Sequence, residues 1–230
     1  MTGGPDSLVL PALSGLTRPR AVVFDWDNTL IDSWHAIQDA QNFTLEAFGQ
    51  QPWTLEETRQ RVRGSMRDSY PALFGARWRE AGEVFYRRFA ERHMLTLRPL
   101  PGAEAMLRAM AERGVYLAVC SNKKGDYLRQ EADHLGWSGH FGRIIGAFDA
   151  PRDKPAADPV LMALDGSGIA PGGDVWFAGD ADIDLQCAVN AGCVPVLMRE
   201  NPPEPGEFPC HEPAVHVEGC MMLSKVFASM

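Results

Sequence analysis

Four short polar clusters in the sequence combine carboxylates with lysine, hydroxyl and amide side chains. They are Asp25-Trp26-Asp27-Asn28-Thr29, Ser121-Asn122-Lys123, Asp153-Lys154-Pro155 and Gly179-Asp180-Ala181-Asp182-Ile183-Asp184. A single aspartate at the end of a predicted strand is most often a helix cap or a loop residue. Four such clusters at predicted strand ends indicate one shared site instead, because ligands of open α/β sheets bind beyond the carboxyl ends of the strands.

The spacing of the aspartates predicts a cluster of carboxylates. Asp25 and Asp27 are two residues apart on an extended segment, so their side chains point the same way. Asp180 ends another predicted strand, and a helix starting there would return Asp184 to the same side. Converging carboxylates repel one another, so the pattern predicts an oxygen-ligated cation of the Mg²⁺ kind, with Lys154 as a further positive charge.

The elements that must position these clusters alternate between strand and helix. Short apolar runs predict strands, and helical periodicity predicts the segments between them. The strands are expected at 20–24, 115–120, 143–145, 174–178, 194–197 and 215–217, and the helices at 103–113, 126–135, 159–164 and 185–190. This order predicts an α/β fold, a doubly wound parallel sheet of Rossmann-like type with helices on both faces.

The stretch between the first cluster and the second strand has a different texture. Apolar residues recur at helical spacing over 33–99, and no strand pattern occurs there. We expect an inserted all-helical cap domain at 33–99, an α/β core domain made of 20–32 and 100–230, and a flexible arm at 1–19.

Composition excludes several classes of protein. The chain has 230 residues, 22 Lys+Arg against 30 Asp+Glu, and a net charge of −8, which argues against binding of nucleic acid. No apolar run approaches the ~20 residues that span a bilayer, so no membrane partner is expected. The five cysteines form no CxxC motif and indicate a reducing compartment, so we predict a cytoplasmic protein without a secretory signal.

The four clusters resemble the motifs of the haloacid dehalogenase-like superfamily, in order along the chain. The similarity covers roughly residues 20–197 and is greatest to the branch of phosphoglycolate phosphatases and β-phosphoglucomutases with a helical cap. The chain departs from the usual first motif at two positions, where Trp26 replaces leucine and Asn28 replaces glycine. Asparagine tolerates a left-handed backbone better than most residues do, so the loop geometry can be kept.

The resemblance implies roles for the clustered residues. Asp25 would be the nucleophile that forms an aspartyl-phosphate, and Asp27 the general acid and base. Mg²⁺ would bind Asp25, the backbone carbonyl of Asp27 and Asp180, and Asp184 would bind it directly or through one of the groups bound to it. The phosphoryl oxygens would be held by Thr29, by Ser121 and by amides near Asn122 at a helix start, and Lys154 would stabilise the charge of the transition state; Lys123 is a further candidate.

The predicted cap offers two arginines that could select the substrate. Arg63 and Arg67 flank Gly64-Ser65-Met66, a stretch similar to the cap loop that faces the active site in the sugar-phosphate branch. A guanidinium suits a second anionic group on the substrate. The alternative is that these arginines lie on a solvated helix face.

Three functions remain open on the sequence. The first is a Mg²⁺-dependent phosphatase acting on a small phosphorylated metabolite, as a monomer or homodimer. The second is a phosphosugar mutase of the β-phosphoglucomutase type, and the third is a non-catalytic phosphate-binding regulatory module, which the intact motifs disfavour. Asp27 argues against dehalogenation, because a halide leaving group needs no acid and an alkoxide does.

Overall fold

The computed structural model describes residues 16–62 and 64–230. Its core is one parallel sheet of six strands in the order β3-β2-β1-β4-β5-β6, which confirms the predicted α/β class. The strands are β1 (Ala21–Phe24), β2 (Tyr116–Lys124), β3 (Arg143–Ala147), β4 (Val175–Gly179), β5 (Val194–Met198) and β6 (Val215–Val217). The direction in which successive strands are added to the sheet reverses beside β1, which lies between β2 and β4. Sheets of this type bind ligands at the carboxyl ends of the strands where this reversal occurs.

Helices cover both faces of the sheet. Those of the core are α5 (Ala103–Glu112), α6 (Gly125–His134), α7 (Asp158–Leu164), α8 (Asp182–Ala191) and α9 (Cys220–Ala228). β1 alternates between the two faces: Val22 and Phe24 join one buried apolar cluster, and Ala21 and Val23 join the other. A strand buried on both faces is continuously apolar, which is why its sequence is so easily recognised.

Among the residues that the structure describes, the insert between β1 and α5 contains four α-helices. They are α1 (Trp34–Ala47), α2 (Leu55–Arg61), α3 (Met66–Phe74) and α4 (Trp78–Thr96). Thr54 begins α2 with a capping box, since its side chain accepts from the Glu57 amide at 3.2 Å while the Glu57 carboxylate accepts from the Thr54 amide at 2.9 Å. The insert has apolar clusters of its own, one of them around Leu45, Trp53 and Tyr70. It is the predicted helical cap, while the domain limits at 33 and 99 stay a prediction.

The predicted flexible arm at 1–19 falls mostly on residues 1–15, which lie outside the described residues. Within the described ranges, no helix is long and apolar enough to cross a membrane. The Pro-rich loop at 201–213 is anchored by buried Phe208, which packs with Leu185 and Leu197.

Candidate active site

The predicted site residues converge at the carboxyl ends of β1 and β4. Asp25 directly follows β1, and Asp180 directly follows β4, which pairs in register with β1. Lys154 arrives from the segment between β3 and α7, and Asp184 lies in the first turn of α8. Residues separated by up to 159 positions in the sequence therefore line one cavity at the switch point of the sheet.

Lys154 links two of the carboxylates. Its Nζ lies 2.8 Å from Oδ1 of Asp25 and 2.7 Å from Oδ1 of Asp184. Its side chain is only 2% exposed, so both contacts are made away from bulk water. Burial works against the charged ammonium, but Asp184 and Asp25 outweigh it and raise the pKa of Lys154 well above the ordinary value. Lys154 therefore stays protonated beside the predicted nucleophile.

The carboxylates of Asp25, Asp180 and Asp184 form a group that fits a divalent cation. Each offers an oxygen, and these oxygens lie within 4.8 Å of one another. Burial, together with the charge of Asp184, raises the pKa of Asp25 to about 6, and burial with the same charge raises the pKa of Asp180 well above its ordinary value. A bound divalent cation would favour the ionised form of these carboxylates, and an all-oxygen donor set suits Mg²⁺.

Local backbone features bring Asp184 close to the strand end. Its Oδ2 accepts a hydrogen bond from the Ala181 amide at 3.1 Å at the start of α8. Gly179 is required beside it, because a Cβ at that position would overlap the Asp184 side chain. The Gly-Asp pair of this motif thus serves packing as well as chemistry.

Asn28 adopts the left-handed backbone that glycine usually supplies. Its φ is 60°, and its side-chain Oδ1 accepts from the Ser33 amide at 3.2 Å. The backbone amide of Asn28 also donates to the Ile31 carbonyl at 2.6 Å, which closes a tight turn after Asp27. The replacement of glycine by asparagine therefore keeps the loop compact.

Asp27 lies in the same cavity but outside the acidic group. Its Oδ1 is 2.7 Å from Nζ of Lys123, and the side chain of Asp27 is 16% exposed. The side chain of Asp27 is therefore not among the grouped ligand atoms of the described residues. The resemblance assigned the metal contact of Asp27 to its backbone carbonyl, and that assignment stays a prediction.

The predicted phosphate-binding residues are only partly brought together. Ser121 is buried and lines the cavity, and its Oγ accepts from the Lys123 amide at 3.2 Å. Thr29 is also buried, but its Oγ1 donates to Oδ1 of Asp180 at 3.4 Å. Thr29 does not line the cavity among the described residues, so the structure places it behind Asp180.

Asn122 itself lies on β2 and not at a helix start, although the next helix begins within one residue of the predicted start at 126. β2 continues to Lys124, which pairs with Ala147 of β3 after an irregularity in the register beyond Cys120, and α6 begins at Gly125. The Asn122 side chain lines the cavity but binds the main chain of Lys154: its Nδ2 donates to the carbonyl at 3.2 Å, and its Oδ1 accepts from the amide at 3.1 Å. Asn122 therefore fixes the segment that carries Lys154, and its contact with phosphate stays a prediction.

The cap closes the cavity with mainly apolar and aromatic side chains. Among those that line it are Trp34, Trp53, Tyr86 and Phe89. The cavity is therefore polar at the sheet and largely apolar beneath the cap, which suits a phosphorylated compound whose phosphoryl group enters first.

The two cap arginines have different outcomes. Arg63 lies outside the described residues. The guanidinium of Arg67 makes a bidentate ion pair with Asp153, lies 3.3 Å from the carbonyls of Ala150 and Pro151, and stacks 5.0 Å from the Phe148 ring centroid. Arg67 does not line the cavity in the described part of the chain. It ties α3 of the cap to the segment that carries Lys154, and its role as a substrate-binding residue stays a prediction.

The ion pair between Arg67 and Asp153 should contribute to activity through closure of the cap. Arg67→Ala leaves Asp153, whose side chain is 1% exposed, without its ionic partner, so we expect kcat/KM to fall about tenfold. The fall should be similar for a phosphorylated metabolite and for p-nitrophenyl phosphate, because closure of the cap serves both. Steady-state kinetics with both compounds measure it, with exposed Arg79→Ala as the control. A rise in KM confined to the metabolite would instead make Arg67 a substrate-binding residue.

Two residues of the cavity region were missed by reasoning from the sequence. The first is Glu131 on α6, which is 1% exposed and has three polar contacts, with Trp26, His93 and Lys123. The second is Lys124, which lines the cavity. A signal existed for Glu131, since it lies on the same helix face as the buried Leu128 and Ala132. Lys124 carried no such signal, because a second lysine after a motif is usually solvated.

Comparison with known proteins agrees with this geometry. The family model described as haloacid dehalogenase-like hydrolase matches residues 22–198. A phosphoglycolate phosphatase of Aquifex aeolicus is 31% identical over 174 residues, which are 75% of this chain and 81% of the relative. A phosphoglycolate phosphatase of Xylella fastidiosa is 32% identical over 187 residues, 80% of this chain and 81% of the relative.

Solved structures share the fold at low sequence identity. A protein of Clostridium acetobutylicum described as a predicted phosphatase superposes with a TM-score of 0.81 at 20% identity, covering 93% of this chain and 100% of its own. A haloacid dehalogenase-like family protein of Streptococcus pneumoniae gives a TM-score of 0.79 at 20% identity, covering 92% of this chain and 100% of its own. Both extend over the sheet and the helical insert.

Proposed function

The chain belongs to the haloacid dehalogenase-like hydrolase family as a phosphatase of the phosphoglycolate phosphatase-like branch, and we propose that it hydrolyses a small phosphorylated metabolite through an aspartyl-phosphate on Asp25, with Mg²⁺ as its cofactor. The observation that carries the proposal is the meeting of Asp25, Lys154, Asp180 and Asp184 at one end of the sheet. These residues supply a nucleophile, a fixed positive charge and a set of metal ligands within one cavity.

The first step transfers the phosphoryl group to the protein. A carboxylate oxygen of Asp25 bonds to phosphorus, the bond from phosphorus to the leaving oxygen breaks, and Asp27 gives its proton to that oxygen. Lys154, 2.8 Å from the carboxylate of Asp25, faces the negative charge that gathers there. The product alcohol can then leave.

The second step returns the protein to its starting state. Asp27 takes a proton from water, the water oxygen bonds to phosphorus, and the bond between phosphorus and Asp25 breaks to release inorganic phosphate. Asp27 is two residues from Asp25 at the same strand end and lines the same cavity, so one carboxylate can serve as acid and then as base.

The proposed cofactor and the phosphoryl group have distinct contacts. Mg²⁺ would be held by Asp25, Asp180, Asp184 and the backbone carbonyl of Asp27, and when bound it supplies positive charge beside the phosphoryl oxygens. Ser121, buried in the cavity wall, is the proposed side-chain donor to those oxygens.

Lys124 is the proposed contact for a second anionic group of the substrate. Its Nζ lies over the rings of Tyr86 and Tyr127, at 5.2 and 5.7 Å from their centroids, and no carboxylate pairs with it within the described ranges. Phosphoglycolate, for which the relatives are named, carries a carboxylate beside its phosphate ester. A cation on the cap side of the cavity suits such a compound.

A screen of phosphorylated metabolites tests the proposal. With Mg²⁺ present, we expect release of inorganic phosphate, fastest from small monoesters that carry a carboxylate or a second phosphate. The same reactions are followed by NMR for isomer formation, because a mutase would return the phosphoryl group to the substrate. Isomer interconversion without net phosphate release would replace hydrolysis by the mutase reaction, and no turnover of any compound would contradict both.

A further inference from the structure

A buried polar network lies directly behind Asp27. Lys123 bridges two carboxylates, with its Nζ 2.7 Å from Oδ1 of Asp27 and 2.6 Å from Oε2 of Glu131. Glu131 also accepts from Nε1 of Trp26 at 2.7 Å, and its Oε1 is 2.8 Å from Nδ1 of His93. The side chains of Lys123, Glu131 and His93 are 5%, 1% and 3% exposed.

The network uses residues from the core and the cap. Trp26 is the residue between the two catalytic aspartates, Glu131 lies on α6, and His93 lies on α4 of the insert. The Trp26 ring is fixed by an edge contact with Trp137, with centroids 5.9 Å apart. The departure from leucine in the first motif thus supplies the donor that anchors Glu131.

The charges of the network are held in place mutually. Burial opposes the ionised form of Glu131, but Lys123, His93 and Trp26 outweigh it and lower its pKa below the ordinary value. Burial likewise opposes the charged form of Lys123, but Asp27 and Glu131 outweigh this effect and raise the pKa of Lys123 above its ordinary value. An uncompensated buried charge is costly, so Lys123 has one stable position, between the two acids.

We infer that Lys123 and Glu131 are positioning residues that set the orientation of the Asp27 carboxyl group for proton transfer. Oδ1 of Asp27 is buried and accepts no hydrogen bond within the described residues, so the ion pair with Nζ of Lys123 at 2.7 Å is what holds it, while the Asp27 side chain keeps part of its exposure in the cavity. Glu131 holds Lys123 in turn and does not itself line the cavity among the described residues. The inference rests on the proposed function, because the orientation of Asp27 matters only if an ester oxygen must be protonated.

The leaving group of the substrate distinguishes this role from a structural one. A p-nitrophenolate ion is stable without a proton, whereas an alkoxide needs one as the bond to phosphorus breaks. Glu131→Gln, which keeps the size of the side chain, should therefore lower kcat/KM for an alkyl phosphate such as glycerol phosphate about tenfold more than kcat/KM for p-nitrophenyl phosphate. The comparison uses kcat/KM because this ratio reports the first step, in which the leaving group departs, whereas hydrolysis of the aspartyl-phosphate is common to both compounds.

Two further variants complete the experiment. Lys123→Met removes the contact with Asp27 directly and should show the same preference for the aryl ester, which covers the case that Glu131→Gln does not fold. Asp126→Asn on the exposed side of α6 is the matched control and should leave both rates unchanged. Combining Glu131→Gln with Asp27→Asn should add little to the loss caused by Asp27→Asn alone, because the two residues act as a unit.

The outcomes separate this inference from the proposed function. Equal losses on the aryl and alkyl esters, or losses that add to those of Asp27→Asn, would overturn the positioning role and leave Glu131 a structural residue. The proposed function would still stand in that case if Asp25→Asn is inactive. An active Asp25→Asn variant would instead remove the proposed function, whatever Glu131→Gln does.

Discussion

Replacing Asp25 by asparagine is expected to abolish phosphate release. An amide cannot attack phosphorus, so the loss should be on the order of 10⁴-fold or more with every substrate, aryl esters included. Asparagine keeps the size of the side chain and an oxygen that can accept from Lys154, so the fold should persist. Steady-state release of phosphate measures the loss, and circular dichroism with thermal unfolding checks the fold.

The choice of control for Asp25→Asn follows from the charges around it. Lys154 retains Asp184 as a partner at 2.7 Å, so the substitution leaves no ammonium without a carboxylate. Asp182→Asn changes an exposed aspartate beside the same site, whose side chain is 51% exposed, and should keep most of its activity. Turnover by Asp25→Asn at a rate near that of the unaltered chain would remove the nucleophile assignment.

Removing divalent cations is expected to have an effect of similar size. Without a cation, the carboxylates of Asp25, Asp180 and Asp184 repel an incoming phosphate dianion, so a chelator should reduce activity below detection. Adding Mg²⁺ in excess should restore it fully. Activity that survives chelation would show that these carboxylates work without a metal.

Binding of the cation can be measured apart from activity. Mg²⁺ that binds the folded chain raises its thermal midpoint by mass action. We expect this rise for the unaltered chain and for Asp182→Asn, and its loss for Asp180→Asn and Asp184→Asn, whose side chains belong to the acidic group. Equal rises in all four proteins would place the cation elsewhere.

The sheet and the acidic group could be predicted from short segments of the sequence. β1 is a continuous apolar run because it is buried on both faces, and Asp25 follows it at once. Asp180 has the same relation to β4. Parallel strands bring their carboxyl ends to one edge, so a local pattern sufficed to predict a long-range cluster.

β2 shows where local pattern was insufficient. The strand was expected to end at Cys120, yet it continues through polar residues to Lys124, which pairs with Ala147 of β3. Ser121, Asn122 and the two lysines have no strand periodicity, and β2 is extended across them by the pairing of Lys124 with β3, which is a long-range contact.

Specific ion pairs across the chain were beyond prediction for a physical reason. Arg67 and Asp153 are 86 positions apart, and either side chain could have been solvated. The contact depends on how the cap rests on the core, which no periodicity encodes. The same holds for His93 and Glu131, which join α4 to α6 through a 2.8 Å contact.

The proposed mechanism requires the carboxylate of Asp25 to carry the phosphoryl group during turnover. Asp27→Asn with p-nitrophenyl phosphate provides the sharpest test. The p-nitrophenolate leaving group needs little protonation in the first step, whereas the second step lacks its base, so the aspartyl-phosphate should accumulate. After an acid quench with Mg²⁺ present, peptide mass spectrometry should find one phosphoryl group on Asp25, removable by hydroxylamine. Release of phosphate without a phosphoryl group on Asp25, or with the phosphoryl group on another residue, would contradict the proposed mechanism.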